Sequence, residues 1–160
     1  MGREDFTFFW GGEFSQWYPS VFEVDGITYN CAEQYMMEQK ARFFKDAEIA
    51  EKIMQSKSPR EQKALGRQVR NFDADKWMEV CYDIVKKGNL AKFSQNPYLL
   101  DVLATTKGTE IVEASPDDKI WGIGYSEHNK LAWNKETWDG LNLLGKVLDD
   151  VRDELLSDGE

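Results

Sequence analysis

Glu33 and Lys40 are a carboxylate and an amine seven residues apart, in the stretch Tyr29 to Phe44 that reads Y-N-C-A-E-Q-Y-M-M-E-Q-K-A-R-F-F. If the stretch is helical, seven steps of about 100° return both side chains to nearly the same face. A carboxylate can stabilise a developing cation or activate water, and a neutral amine can attack an electrophilic carbon. On one wall the two would reach the same bound molecule. Charged pairs on helices are also ordinary solvated decoration, and spacing alone does not separate the two readings.

A second group lies in Ser115-Pro116-Asp117-Asp118-Lys119-Ile120-Trp121-Gly122-Ile123-Gly124. Trp121 beside glycines offers a flat ring to a ligand while the backbone stays clear, and Asp118, three residues before, could reach the same ligand. The plainer alternative is an Asx turn at Asp118 and a tryptophan in the core. Arg67, after Gly66, is either an exposed helix arginine or a phosphate contact. His128 is the sole histidine and sits in a polar loop, which argues against a histidine metal centre or a Ser-His triad. There is no Walker-type glycine loop, no G-x-G-x-x-G and no nucleophile elbow. Acid–base work therefore falls to carboxylates, with lysine or tyrosine beside them.

The elements that must hold these groups are legible in turn. Phe6 to Trp10 is β-branched and aromatic, and predicts a first strand. Val21–Val24 and Ile27–Tyr29 flank Asp25-Gly26, a favoured type I′ pair, and predict a hairpin that feeds the helix beginning near Ala32. Helices follow over Ala47 to Gln55, and from the capping box Ser58-Pro59-Arg60-Glu61 to about Val69. The longest starts at Asp73 or Asp75 and runs to about Phe93. Another opens at Asn96-Pro97 and ends near Gly108. A strand over Glu110 to Ala114 precedes a long loop from Ser115 to about Thr137, and a helix of period 3.6 runs from Leu141 through Leu155. The expectation is an α+β fold: a mainly helical single domain over residues 6–156 with a small antiparallel sheet near the N-terminus, and flexible termini at 1–5 and 157–160.

Composition narrows the function classes. A chain of 160 residues has room for one domain with a substantial core, and six Trp, six Tyr and nine Phe exclude a disordered chain. No apolar run approaches the ~18 residues of a membrane span, and the N-terminus lacks the apolar core of a secretory signal. Cys31 and Cys81 have no metal-type spacing and read as buried free thiols, and the expectation is a cytoplasmic protein. The formal net charge of −9 repels duplex phosphates, so generic duplex DNA binding is not expected. A local basic pocket would still suit a small phosphorylated ligand or one modified nucleotide.

Taken in order, these segments resemble the NADAR family, of which the riboflavin-intermediate N-glycosidases are one branch. The matching stretches are Phe14-Ser15-Gln16-Trp17, Val24-Asp25-Gly26, Ala32-Glu33-Gln34-Tyr35 with Lys40, Gly66-Arg67, Trp77 and Lys92-Phe93. Leu103 to Gly108, Glu113-Ala114-Ser115-Pro116, Asp118, Trp121-Gly122-Ile123-Gly124 and Asn142-Leu143-Leu144-Gly145 follow. The similarity runs from about Phe6 to Leu155. It implies hydrolysis of an N-glycosidic bond at the anomeric carbon of a ribose, without cofactor or metal. The implied substrate is an ADP-ribosylated guanine nucleotide or nucleic acid, or else a phosphorylated ribosylamino-pyrimidine intermediate of riboflavin synthesis. A non-catalytic reader of ADP-ribose is the alternative of another class.

By position, the resemblance makes Glu33 the acidic catalytic residue, with Lys40 and Asp118 beside it. Phe14, Ser15, Gln16, Trp17, Arg67, Trp121, Gly122 and Asn142 are implied substrate contacts. Trp121 would stack on the base, Phe14 or Trp17 would close its other side, and Arg67 would meet a phosphate. Two positions depart from the family pattern. Gln16 stands where asparagine is expected, and Gln34 where some members carry histidine.

Overall fold

Asp25 and Gly26 both take positive φ, 52° and 83°, as a two-residue hairpin turn requires. They close β2 (Phe22–Val24) on β3 (Ile27–Tyr29) as an antiparallel pair, with Phe22 opposite Tyr29. The structure, a computed structural model, describes residues 2–156. The flexible end expected at 157–160 lies outside them, and Arg3–Asp5 form a 3-10 turn. Among the described residues the chain is α+β and mainly helical, with six α-helices, the antiparallel hairpin and a separate parallel strand pair. It divides into two compact units, one of residues 16–96 and the other of the N-terminal residues to Ser15 together with the chain from Pro97 onward.

The 16–96 unit contains the hairpin and four helices: α1 (Ala32–Phe43), α2 (Ala47–Gln55), α3 (Pro59–Gly66) and α4 (Ala74–Gln95). Each of the last three begins at a side-chain cap. Asp46 accepts from the Ile49 N–H, Ser58 from that of Glu61, and Asp73 from those of Asp75 and Lys76. Helix α3 stops at Gly66, short of the expected Val69, because the chain tightens there. The Arg67 and Gln68 N–H groups turn back to the carbonyls three residues earlier. Phe22, Val24, Tyr29 and Tyr35 form a buried hydrophobic cluster, with Ile84 and Ala91 of α4 packed against it. Helix α4 approaches closely because Gly88 has no side chain; a Cβ there would lie 2.6 Å from the Tyr35 ring.

In the other unit, β1 (Phe6–Phe9) pairs in parallel with β4 (Glu110–Glu113), Phe6 against Glu110. The first strand is therefore not part of the hairpin sheet. Residue types identify a strand but not its partner, and β1 pairs with one about a hundred residues later. Helices α5 (Pro97–Ala104) and α6 (Leu143–Leu156) complete this unit. Phe6, Val112, Ile123 and Ala132 form its buried centre, with Trp133 and Trp138 partly covering it. Helix α6 lies on β4, where a Cβ on Gly145 would run into the Ile111 carbonyl. The helix begins at Leu143, not Leu141, because Asn142 takes a left-handed φ of 53°.

Candidate functional site

Helix α1 carries Glu33 and Lys40 on one face, as their spacing requires. Its first turn is anchored from both sides. The Glu33 N–H donates to the Gln16 carbonyl at 2.9 Å, and the Asn30 N–H donates to Gln34 Oε1 at 2.8 Å. The first of these satisfies a donor that a helix start leaves without a partner, and the second ties the preceding residue to the helix. Glu33 is buried and Lys40 half-buried. The Lys40 ammonium rests over the Phe72 ring, 4.6 Å from its centroid.

Burial lowers the Lys40 pKa below the ordinary lysine value; the Glu33 charge opposes this and the Arg67 charge adds to it. The three groups are thus electrostatically linked. A close carboxylate and a depressed amine pKa conflict on paper, and here desolvation is the larger influence, with Arg67 on its side. Arg67 itself is exposed at the C-terminal end of α3.

Gln34 does no acid–base work. It is buried, and its Nε2 donates to the carbonyls of Ile53, Met54 and Ser56 while its Oε1 holds Asn30. Glu38, one turn beyond, is also buried. It accepts from the Tyr29 hydroxyl at 2.9 Å and pairs with Arg42.

Three residues near this face escaped the sequence reading as site members. Lys92 is fully buried, its ammonium 5.0 Å from the Phe93 ring and 5.9 Å from that of Tyr18. Burial pushes the Cys31 thiol up; the Glu33 charge pushes it further and the Lys92 charge draws it back. Asn89 is fully buried and donates to the Gln16 side chain. Phe72 lies under Lys40. The signal for the first two was present: Cys81, Val85, Gly88, Asn89, Lys92 and Phe93 form the buried stripe of α4. Two polar residues on such a stripe call for a reason.

Gln16 and Trp17 belong to the same unit as Glu33; Gln16 is half-buried and Trp17 is 38% exposed. Phe14 and Ser15 belong to the other unit. Phe14 is a core residue, packed edge-on against Phe9 with ring centroids 5.6 Å apart.

In that other unit Asp118 makes an Asx turn, its Oδ1 accepting from the Ile120 and Trp121 N–H groups at 2.9 and 2.8 Å. The turn shapes a loop whose carbonyls then receive the start of α6. Asn142 N–H donates to Gly122, Leu143 to Ile120 and Leu144 to Trp121. Gly122 is buried, and the room left by its missing Cβ is filled by the Glu113 and Asp118 carbonyls, each 2.9 Å from where that atom would sit. Its smallness therefore serves its own backbone neighbours. Asn142 is fully buried; its Oδ1 accepts from the Glu113 N–H and its Nδ2 donates to the Ile111 carbonyl. That amide is committed to β4. Trp121 remains half-exposed on the loop. His128 is exposed, and among the described residues no group of three or more His, Cys, Asp or Glu side chains is placed to hold a metal ion.

The model of the NADAR domain family matches residues 8–156. An N-glycosidase of Acanthamoeba polyphaga mimivirus is 43% identical, over 96% of this chain and 98% of that protein. The N-glycosidase YbiA of Escherichia coli is 31% identical in sequence, over 90% of this chain and 81% of its own. Its solved structure superposes with a TM-score of 0.78 at 27% identity, covering 96% of this chain and 86% of the other. A riboflavin biosynthesis protein of Vibrio vulnificus is 28% identical over 90% of this chain, which spans 35% of that longer protein.

Proposed function

Because the chain belongs to the NADAR domain family, we propose that it is an N-glycoside hydrolase that removes ADP-ribose from guanine, acting without a metal ion. The N-glycosidases among its relatives support the bond type. The observation that carries the mechanism is the Glu33–Lys40 face, where burial disfavours the ammonium despite the nearby carboxylate.

Departure of a base from ribose builds positive charge on C1′ and the ring oxygen, as in other glycoside cleavages. In this reading Lys40, as the neutral amine, attacks C1′. The C1′–N bond breaks, and the base leaves with its electron pair and takes up a proton. The sugar opens as an imine on Lys40, and water then hydrolyses that imine, returning the amine and releasing the sugar. Glu33 stabilises the cationic carbon and activates the water. If the amine instead stays out of the reaction, Glu33 directs water to C1′ itself. Arg67, already linked to Lys40 by charge, is suited to a phosphate of the ligand.

The test is incubation with guanine-ADP-ribosylated oligonucleotide and, separately, with the ribosylamino-pyrimidine phosphate, with release followed by mass spectrometry. The expected result is ADP-ribose release from the first substrate, unaffected by chelator and reduced about 10²–10⁴-fold in Glu33→Gln. Borohydride should trap an adduct that Lys40→Ala lacks; no adduct would leave only direct water attack. Release from the second substrate alone would assign the chain to riboflavin-intermediate hydrolysis, in line with the Vibrio vulnificus relative's being named a riboflavin biosynthesis protein. Ligand binding without release from either would mean a reader.

A further inference from the structure

Asn89 lies on α4, in a unit whose assigned chemistry sits on α1, and the polar contacts it makes are directional. Its Nδ2 donates twice, to the Val85 carbonyl at 2.9 Å and to Gln16 Oε1 at 2.9 Å. Its Oδ1 is buried with no hydrogen-bond partner. The orientation is not arbitrary. Turning the Asn89 amide over would set its oxygen against the Val85 carbonyl and the Gln16 oxygen, two acceptors facing a third.

Asn89 in turn decides how Gln16 points. Reversing the Gln16 amide would bring its NH₂ against the Asn89 NH₂, donor against donor. Gln16 Nε2 is therefore turned away from Asn89 and towards α1, where its partner is the Met36 thioether at 3.8 Å. A thioether is a weak acceptor. The Gln16 backbone is meanwhile fixed to the Glu33 N–H. Met36 and Lys40 follow Glu33 on α1 at three and seven residues, the spacing of one helix face. The amide donor is thus held over the face that carries the proposed chemistry.

We propose that Asn89 is a positioning residue: it locks the Gln16 amide with its donor end over the Glu33–Lys40 face, where the donor binds an acceptor oxygen of the substrate. The inference rests on the N-glycoside reading for its substrate, but the locking itself is a property of the free protein. It also gives the Gln16 position a chemical requirement. An amide long enough to meet Asn89 keeps its donor on the α1 side, whereas a carboxylate there would accept from Asn89 equally well and offer no donor.

The experiment is a double-mutant cycle with an independent structural readout. Asn89→Asp is close to isosteric but cannot donate, so Gln16 reverses and presents its oxygen to the substrate. Asn89→Asp and Gln16→Glu are each expected to lower kcat/KM about tenfold. In a Gln16→Leu background Asn89→Asp should cost nothing further, since a residue acting through Gln16 has nothing left to position. If buried aspartate prevents folding, Asn89→Ala replaces it and should likewise lose its effect once Gln16 is leucine.

The side-chain amide resonances of Gln16, assigned by their absence in Gln16→Leu, report the orientation without turnover. They should shift in Asn89→Asp or Asn89→Ala. Equal losses in both backgrounds, or Gln16 resonances that do not move, would overturn the inference. Should wild type cleave neither substrate, the functional reading fails and the resonances alone decide whether Asn89 sets the Gln16 amide.

Discussion

At the scale of single residues, the balance around Lys40 decides which chemistry is available. An amine acts as a nucleophile only when neutral, and the neutral fraction at a given pH rises as the pKa falls. Burial lowers it, Arg67 lowers it further, and Glu33 works the other way. Replacing Arg67 by glutamine removes a positive charge that disfavours the ammonium, so the Lys40 pKa should rise. The alkaline-going limb of kcat/KM against pH should then move to higher pH, while the plateau falls with the loss of the phosphate contact. A limb that stays in place in Arg67→Gln would assign it to another group, and would remove the support that this charge gives the amine route. Gln34 shows the opposite case. It sits next to Glu33 in sequence, yet every polar atom of its side chain is bonded to backbone.

At the scale of elements, contacts between helix and strand set stability. Asp149 of α6 accepts from the Ile111 N–H of β4 at 3.0 Å, with Arg152 3.4 Å away. Burial pushes its carboxyl up to about 6, only partly offset by the Ile111 N–H and Arg152. A carboxyl whose folded pKa exceeds its unfolded value stabilises the fold when protonated. That contribution is complete below about pH 4 and is lost as pH rises through about 6. Asparagine keeps the acceptor for Ile111 and never ionises. Asp149→Asn should therefore raise Tm by about 2–4 °C at pH 8. The gain should vanish near pH 4, and thermal melts at the two pH values check it.

Asp46 has the reverse sign. Hydrogen bonds from the Arg70 side chain and backbone hold its carboxyl well below the usual range while it also caps α2. Its contribution is present above the unfolded pKa and fades as pH falls below about 4.

At the scale of the whole molecule, the net charge of −9 bears on what kind of substrate suits the chain. A protein that reads a duplex through its phosphates gains affinity with length and loses it steeply with salt. An acidic protein that recognises one modified nucleotide should do neither. Extending the substrate from a modified nucleoside to about twenty base pairs of duplex should change kcat/KM by less than about threefold, with a shallow salt dependence. A steep rise with length would point to a nucleic-acid surface that the overall charge does not foreshadow.

What was legible in the sequence follows from local physics. The Asp-Gly hairpin, the capped starts of α2, α3 and α4, and the shared face of Glu33 and Lys40 depend on neighbours within a few residues. Nearby side chains announce them. The partner of β1 was not legible, because hydrogen bonding between Phe6–Phe9 and Glu110–Glu113 depends on where the intervening hundred residues lead the chain. Nor was the division of labour among the polar residues. Asn142 and Gly122 resemble site residues by position, yet packing commits the first to β4 and fills the space beside the second with backbone carbonyls. Asn89 and Lys92 look like ordinary members of a long helix until α4 turns them inward. Sequence alone determined which residues carry chemistry-bearing groups and which elements hold them. Only tertiary structure decided which groups are desolvated and which polar atoms are already bonded, because both depend on atoms brought close from distant parts of the chain.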